Sequence, residues 1–308
     1  MDYKKIFRTR NIRAKVLRML SFVPDKPMIK LQYRMKTGRK LDLKNPKRYT
    51  EKLQWYKLYY REALLKQCVN KYLVREFIRD CGQEQILNVL YGVYDDPHDI
   101  DFSSLPNEFV IKDTVAGGST SVIVVKDKAN LDLNSTIETM QKWLIKPKTN
   151  HTGGREWPYY NQRHQIIIEK YLEQEDGDLA DYKFFCFQGK VEYVYVRSDY
   201  AKNHDDAKMA FFDRNLNYIN GLGMDYCGIA EEEPNIDKNV LMLMKDVAEK
   251  LAEKFPHVRV DLYYVKGNIV FGELTFFNAS GYMKFEPDSF DFEIGNCFEL
   301  PAHTRTTK

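Results

Sequence analysis

The chain has 308 residues, enough for one large or two smaller domains with a substantial core, and its 44% hydrophobic and 14% aromatic content excludes an intrinsically disordered chain. No apolar run approaches the ~18 residues of a membrane span, and no signal-peptide core follows the basic start, so a cytoplasmic protein is expected. The net charge of +3 hides an asymmetry: residues 1–61 hold nineteen Lys and Arg against four acids, and the remainder is net acidic.

Such a front end suits an anionic membrane surface or a polyanionic glycan, which would make the protein peripheral at the inner face of the membrane. No nucleic acid is expected, because no zinc, helix-turn-helix or aromatic RNA-binding signature accompanies the charge. Ile6, Phe7, Val16, Leu17 and Leu20 lie among Lys4, Lys5, Arg8, Arg13, Lys15 and Arg18, the pattern of an amphipathic helix. The same pattern suits a helix that meets a membrane, one that packs on the main domain, or a plain solvated helix.

Asn45-Pro46 ahead of Tyr49-Thr50-Glu51 marks a helix start, and that helix continues to Tyr59. A second helix is expected from Asn70-Lys71 to a stop at Gly82. A short strand over residues 85–94 follows. Phe109-Val110-Ile111-Lys112 is then a strand entering the turn Ala116-Gly117-Gly118-Ser119-Thr120, which returns through residues 122–125. After a helix over 135–144, residues 147–160 read as a mobile surface loop. Residues 165–169 form an apolar strand, 182–187 and 191–197 a hairpin about Gln188-Gly189-Lys190, and 198–234 an irregular acidic region. A helix over 236–255 stops at Pro256. The five cysteines, widely spaced and without C-x-x-C, read as reduced core thiols, and the six scattered histidines as surface residues.

Residues 258–281 hold the most informative pattern. Two runs rich in β-branched and aromatic residues flank Lys266-Gly267-Asn268, a hairpin with a three-residue turn. Pairing Val265 with Ile269 puts Val260, Leu262 and Tyr264 on an apolar face with Leu274, Gly272 and Val270. On the other face Asp261 and Glu273 come out directly opposite, beside Arg259 and Thr275. Facing carboxylates repel, so a shared proton, an arginine or a divalent cation must offset them. Neutralising either acid is then expected to relieve the repulsion.

Lys112, at the end of a buried strand and before a Gly-Gly-Ser-Thr turn, can bring an ammonium and a row of backbone N–H groups to phosphate oxygens. The turn is not a Walker A loop, and no G-x-G-x-x-G, G-x-S-x-G or H-E-x-x-H occurs. Asp99-Ile100-Asp101 and Asp176-Gly177-Asp178 match the D-x-D string of nucleotide-sugar glycosyltransferases, without a β-α-β start to support it.

The stretches N-P-K-R-Y-T-E-K-L-Q-W from Asn45, F-V-I-K from Phe109, I-I-I-E-K-Y-L from Ile166, D-Y-K-F-F-C-F-Q-G-K from Asp181, and R-V-D-L-Y with F-G-E-L-T-F resemble the TupA-like ATP-grasp family. The resemblance runs from about Leu43 to Leu300. It implies an α+β fold in which the antiparallel sheets of two subdomains clamp ATP. Residues 1–60 would be a basic, mainly helical extension, 61–164 a helix and the first subdomain, and 165–308 the second subdomain with the metal site. Lys71, Lys112, Gly117, Gly118 and Ser119 would meet the phosphates, and Glu169, Lys170, Tyr171 and Leu172 the adenine. Asp181 would stand near the ribose, with Lys183 reaching the nucleotide. Asp261 and Glu273 would hold Mg2+, with Asn278 or a hydroxyl serving because Glu273-Leu274-Thr275 stands where such ligases often have E-x-N. Arg259 and Lys112 would act on the transferred phosphoryl.

The implied reaction is ATP-dependent, ADP-forming ligation of a carboxylate to an amine through an acyl phosphate. The family's company adds cell-surface polysaccharide biosynthesis (capsule, exopolysaccharide or teichuronopeptide), with a uronic acid, free or in a glycan, joined to an amino acid. A glycosyltransferase of the same pathway is the alternative, and a non-catalytic basic adaptor a third reading.

Overall fold

The structure is a computed structural model that describes residues 19–117, 121–145, 153–173, 179–198 and 207–302. Apart from Leu20, the N-terminal amphipathic pattern lies outside the described residues, as do Gly118, Ser119 and the D-x-D string at 176–178.

Helix α1 (Asp25–Thr37) ends at Gly38, whose φ of 77° lets its N–H close on the Arg34 carbonyl. Helix α2 (Tyr49–Tyr59) starts where Asn45-Pro46 predicts. The Glu51 carboxylate closes its first turn by accepting from the Lys47 and Arg48 N–H groups at 3.1 and 3.2 Å. Thr50 adds a second lock, its N–H and hydroxyl donating to Asp291 at 3.0 and 2.8 Å. A short helix α3 (Leu64–Val69), unread in the sequence, comes next. Asn70 then accepts from the N–H groups of Tyr72 and Leu73, and this Asx turn delays the expected helix to α4 (Val74–Asp80).

Strands β1 (Leu90–Tyr94), β2 (Phe109–Asp113), β3 (Val122–Val125) and β4 (Ile166–Lys170) form an antiparallel sheet in the order β1-β4-β2-β3. β1 is shorter than expected because Glu84–Ile86 turns as a 3-10 segment after the left-handed Gly82. Helix α5 (Leu133–Leu144), capped by Asp132, lays Met140 into a small core with Phe109, Ile111, Ile166 and Ile168. β4 belongs to this sheet, so the change of sheet falls after Lys170 and not at 164/165.

The second sheet is built from β5 (Asp181–Phe187), β6 (Lys190–Ser198), β7 (Lys208–Asp213), β8 (Tyr218–Ile219), β10 (Gly228–Ile229), β11 (His257–Val265) and β12 (Asn268–Thr275), while β9 (Gly223–Met224) lies apart. Its order is β10-β7-β6-β5-β11-β12, with β8 on β7. β7 overturns the expected irregularity of 198–234. Its run Met209-Ala210-Phe211-Phe212 is buried on both faces, and so short an unalternating run is a weak signal in sequence. Helix α6 (Lys238–Ala252) buries Leu241, Met244, Ala248 and Leu251 against β5, β6 and β11. β13 (Phe285–Glu286) pairs with β9, and α7 (Phe290–Cys297) packs on α2.

Both hairpins turn in two residues where three were expected. Gln188-Gly189 and Lys266-Gly267 each supply two left-handed residues, at φ 47° and 76° and at 48° and 84°. Val265 therefore pairs with Asn268, not Ile269, and the outer half of β11–β12 is displaced by one residue. A bulge at Gly272 returns that residue: Leu262 faces Phe271, yet Asp261 faces Glu273 as read from the sequence. Only glycine fits there, since a Cβ would lie 2.9 Å from the Asp261 carbonyl oxygen.

Two further expectations fail through tertiary packing. Residues 153–160 are not a free surface loop: Arg155, Trp157 and Pro158 are buried, while 147–152 lie outside the described residues. His257 is not a surface residue but is fully buried, stacked on Phe187 with 4.6 Å between ring centroids. Its Nδ1 donates to the Cys186 carbonyl and the Tyr49 hydroxyl donates to its Nε2, both at 2.9 Å, so the ring is neutral with a fixed tautomer.

Burial pulls the pKa of His257 down from 6.5 to about 3. A proton is thus bound more readily by the unfolded chain. The stability this neutral ring contributes is complete above pH 6.5 and is lost as the pH falls towards 3. Between pH 6.5 and 5 the loss is roughly 2 kcal/mol. Urea denaturation at pH 7 and pH 5 checks it: His257→Asn should show a smaller pH difference in unfolding free energy than the parent, and an equal difference would refute the assignment.

Candidate active site

A cleft of ≈ 490 Å3 is lined from both sheets. The register of the second sheet makes its floor. β6, β5, β11 and β12 pair side by side so that Tyr195, Lys183, Asp261 and Glu273 occupy one rung, with Asp181 and Arg259 two residues away along their strands. The rung brings opposite charges into contact across neighbouring strands. Lys183 Nζ lies 2.6 Å from Asp261 Oδ2 and also pairs with Asp181. Arg259 grips Asp261 in the fork geometry, Nε to Oδ1 and Nη2 to Oδ2, both at 2.6 Å. The same Nη2 reaches Glu273 Oε1 at 3.3 Å and Thr275 Oγ1 at 3.1 Å, and Nη1 donates to Asn278 Oδ1.

Arg259 is therefore the group that offsets the facing carboxylates. The two acids differ sharply in setting: Asp261 is 1% exposed, whereas the Glu273 side chain is 51% exposed. Burial works against the Asp261 charge, but Arg259 and Lys183 together outweigh it and hold the carboxyl below its usual range. For Lys183, burial is likewise outweighed, by Asp261 and Asp181, and the ammonium is held above its ordinary value. Burial pushes the Asp181 carboxyl up, opposed by Lys183. Its buried Oδ1 has no hydrogen-bond partner among the described residues.

The first sheet supplies the opposite wall. Val110 of β2 pairs with Glu169 of β4, which sets Lys112 and Glu169 diagonally on one face, with Nζ 2.8 Å from Oε2. The other Glu169 oxygen lies 3.3 Å from Arg75 Nη1, and Arg75 also donates to the Asn88 carbonyl at 2.9 Å. Lys71 ties down the approach to the glycine-rich turn, its N–H donating to the Thr114 carbonyl at 2.8 Å and its ammonium to that of Ala116. Burial pulls the Lys71 ammonium below its ordinary range; Glu273 opposes the shift and Lys112 adds to it.

Of the residues named from sequence, Lys71, Lys112, Glu169, Leu172, Asp181, Lys183, Arg259, Asp261, Glu273 and Asn278 line the cleft. Gly117, Lys170 and Tyr171 do not: Lys170 is exposed, and the Tyr171 ring carries the Lys126 ammonium 5.4 Å from its centroid. Sequence reasoning missed Arg75, whose signal was its i, i+4 spacing from Lys71. It also missed four tyrosines of the lining: Tyr195, which is buried, Tyr159 and Tyr263, which are half-buried, and Tyr226, which is partly exposed; desolvation of their phenols in the cleft wall pushes all four up. Asp99 and Asp101 lie outside the cleft, and Asp101 accepts from the N–H and hydroxyl of Ser103. Among the described residues no three His, Cys, Asp or Glu gather as a metal set. Asp261, Glu273 and Asn278 nevertheless bring carboxylate and amide oxygens around one guanidinium, donors of the hard type that Mg2+ takes. No described helix is long and apolar enough to cross a membrane.

The family described as TupA-like ATPgrasp matches residues 51–299 of the chain. Comparison with curated proteins finds no match. Among solved structures, D-alanine–D-alanine ligase from Bacillus anthracis is similar at 19% identity over 69% of this chain and 58% of its own, with a TM-score of 0.44. The Helicobacter pylori D-alanine–D-alanine ligase gives 14% identity over 75% and 61%, at 0.42. The L-amino acid ligase from Bacillus licheniformis gives 12% over 77% and 49%, at 0.44. The chain thus spans less than two thirds of the length of each of these structures.

Proposed function

The chain belongs to the TupA-like ATP-grasp family and has the ATP-grasp fold, and from that premise we propose that it is an ADP-forming carboxylate–amine ligase. A substrate carboxylate oxygen attacks the γ-phosphorus of ATP and ADP leaves. The amine nitrogen then attacks the acyl carbon, phosphate departs, and the nitrogen loses a proton. The observation that carries this reading is the convergence on one cleft of Lys112, Lys183 and Arg259 from two sheets and of Lys71 from the turn before α4. Cationic donors fixed in advance around a transferring phosphoryl are the main electrostatic requirement of such a step.

Asp181 supports a nucleoside in the same cleft, because a ribose hydroxyl would supply the donor that its buried Oδ1 lacks. Glu273, Asp261 and Asn278 are the residues that would hold Mg2+, which when bound neutralises charge on the phosphoryl oxygens. Lys112 from the first sheet and Lys71 from the turn before α4 orient the phosphates, and Arg259 steadies the transferred group from the second sheet. For substrates we propose a uronic acid, free or within a cell-surface polysaccharide, and an amino acid.

The test withholds the natural amine. With Mg-ATP, hydroxylamine and a panel of uronic acids, uronic-acid oligosaccharides and glutamate, ADP and hydroxamate should form in equal amounts. ADP with a stable phosphate ester would make the protein a kinase, and UDP released from a sugar donor without use of ATP would replace the proposal with a glycosyltransferase.

A further inference from the structure

The segment after β12 has an unusual backbone. Ala279 and Ser280 are both left-handed, at φ 44° and 55°, and Gly281 follows at 70°. For residues other than glycine this region costs about 1–2 kcal/mol each, so something outside the segment must impose it. The segment matters to the cleft, because Asn278 and Ala279 line it and Asn278 accepts from Arg259.

What imposes it comes from α2. Lys57 is 0% exposed, and its ammonium donates to the carbonyls of Ser280 (2.8 Å) and Gly154 (2.9 Å) and to Gln54 Oε1 (3.0 Å). Gln54 Nε2 donates in turn to the carbonyls of Ser280 (2.9 Å) and Gly281 (2.8 Å). Glu156, from the segment that Lys57 holds through Gly154, accepts from the Ser280 hydroxyl. Two aromatic rings also approach the ammonium, the Tyr282 centroid at 4.8 Å and that of Phe277 at 5.8 Å, and the Glu156 charge favours it. A buried ammonium costs several kcal/mol unless its donors are satisfied. Here two of its three hydrogen bonds end on the backbone of the left-handed turn and of the strand of chain beside it. Lys57 is not among the residues lining the cleft.

We propose that Lys57, together with Gln54, is a positioning residue that holds residues 278–281 in their left-handed turn, keeping Asn278 on Arg259 and Ala279 in the wall of the nucleotide cleft. This rests on the nucleotide reading of the cleft given above. It also gives a role to the Q-W end of the N-P-K-R-Y-T-E-K-L-Q-W stretch: α2 is a strut under the site rather than part of it.

The experiment measures Mg-ATP affinity by calorimetry on the full chain for the parent, Lys57→Met, Asn278→Ala and the double variant, with circular dichroism to establish folding. Lys57→Met should weaken Mg-ATP about tenfold or more, and the double variant should be no weaker than the worse single one, because both changes act through the same contact. Affinity unchanged in Lys57→Met, or losses that add, would overturn the inference and leave the nucleotide reading standing. Absence of binding in the parent would overturn both. If Lys57→Met does not fold, Gln54→Ala removes two of the turn's hydrogen bonds while leaving the lysine, and the same outcomes apply to it.

Discussion

Asp261→Asn is expected to destabilise the protein by about 3–5 kcal/mol, the cost of leaving buried charges without their partner. Asp261 is the shared anion of Arg259 and Lys183, both buried, and an amide cannot balance two cations. Glu273→Gln, half exposed and held by a 3.3 Å contact to Arg259 and by the Thr275 hydroxyl at 3.0 Å, which an amide oxygen can still accept, should cost under about 1 kcal/mol. The relief of repulsion expected from the facing acids is thus reversed for Asp261, since a guanidinium already lies between the two. Urea denaturation separates the cases: an Asp261→Asn protein as stable as its parent would refute the buried triad. Glu273→Gln, being folded, is also the clean probe of Mg2+. Its thermal shift with Mg-ATP should collapse, and a shift equal to the parent's would remove Glu273 from the ion's ligands.

Lys112→Met should lower turnover about 10²–10³-fold, the scale for losing one fixed donor at developing charge. Its stability should hardly change. The Lys112 side chain is 27% exposed, and Glu169 keeps Arg75 when Lys112 is gone. A loss mostly in kcat rather than KM would place the ammonium's contribution in the transition state. The hydroxamate assay reads it directly. Turnover within threefold of the parent would refute a role for Lys112 in phosphoryl transfer, and a large drop in melting temperature would make it a structural residue.

Much of the site could be read because a sheet ladder is countable. Counting residues 258–281 from a three-residue turn puts Asp261 opposite Glu273 with Arg259 on the same face, and the pairing holds because the shorter turn and the bulge at Gly272 offset each other. What could not be read depends on chain segments far away. His257 is buried by Phe187 and Tyr49, and nothing near it in sequence announces those rings. Lys57 looks like one more solvated charge of a basic region until Ser280 and Gly154 are brought to it. Arg75 looks like the exposed face of a helix until β4 presents Glu169. β7 was hidden because four apolar residues have no period to recognise. The length of the two hairpin turns was missed for a different reason. Each uses a long polar residue, Gln188 or Lys266, in a left-handed position that Asn, Asp or Gly would have advertised.

The β11–β12 hairpin carries one spare residue. It sits at Gly272, between the outer tip and the carboxylates, and a bulge is slack that a ladder can redistribute without unzipping the pairs beyond it. A three-residue tip without the bulge and a two-residue tip with it both leave Asp261 opposite Glu273. Changes of length or load at Lys266-Gly267 are therefore taken up before they reach the acids. The tip can diversify during descent, or carry a fluorophore in the laboratory, while the chemistry stays in register.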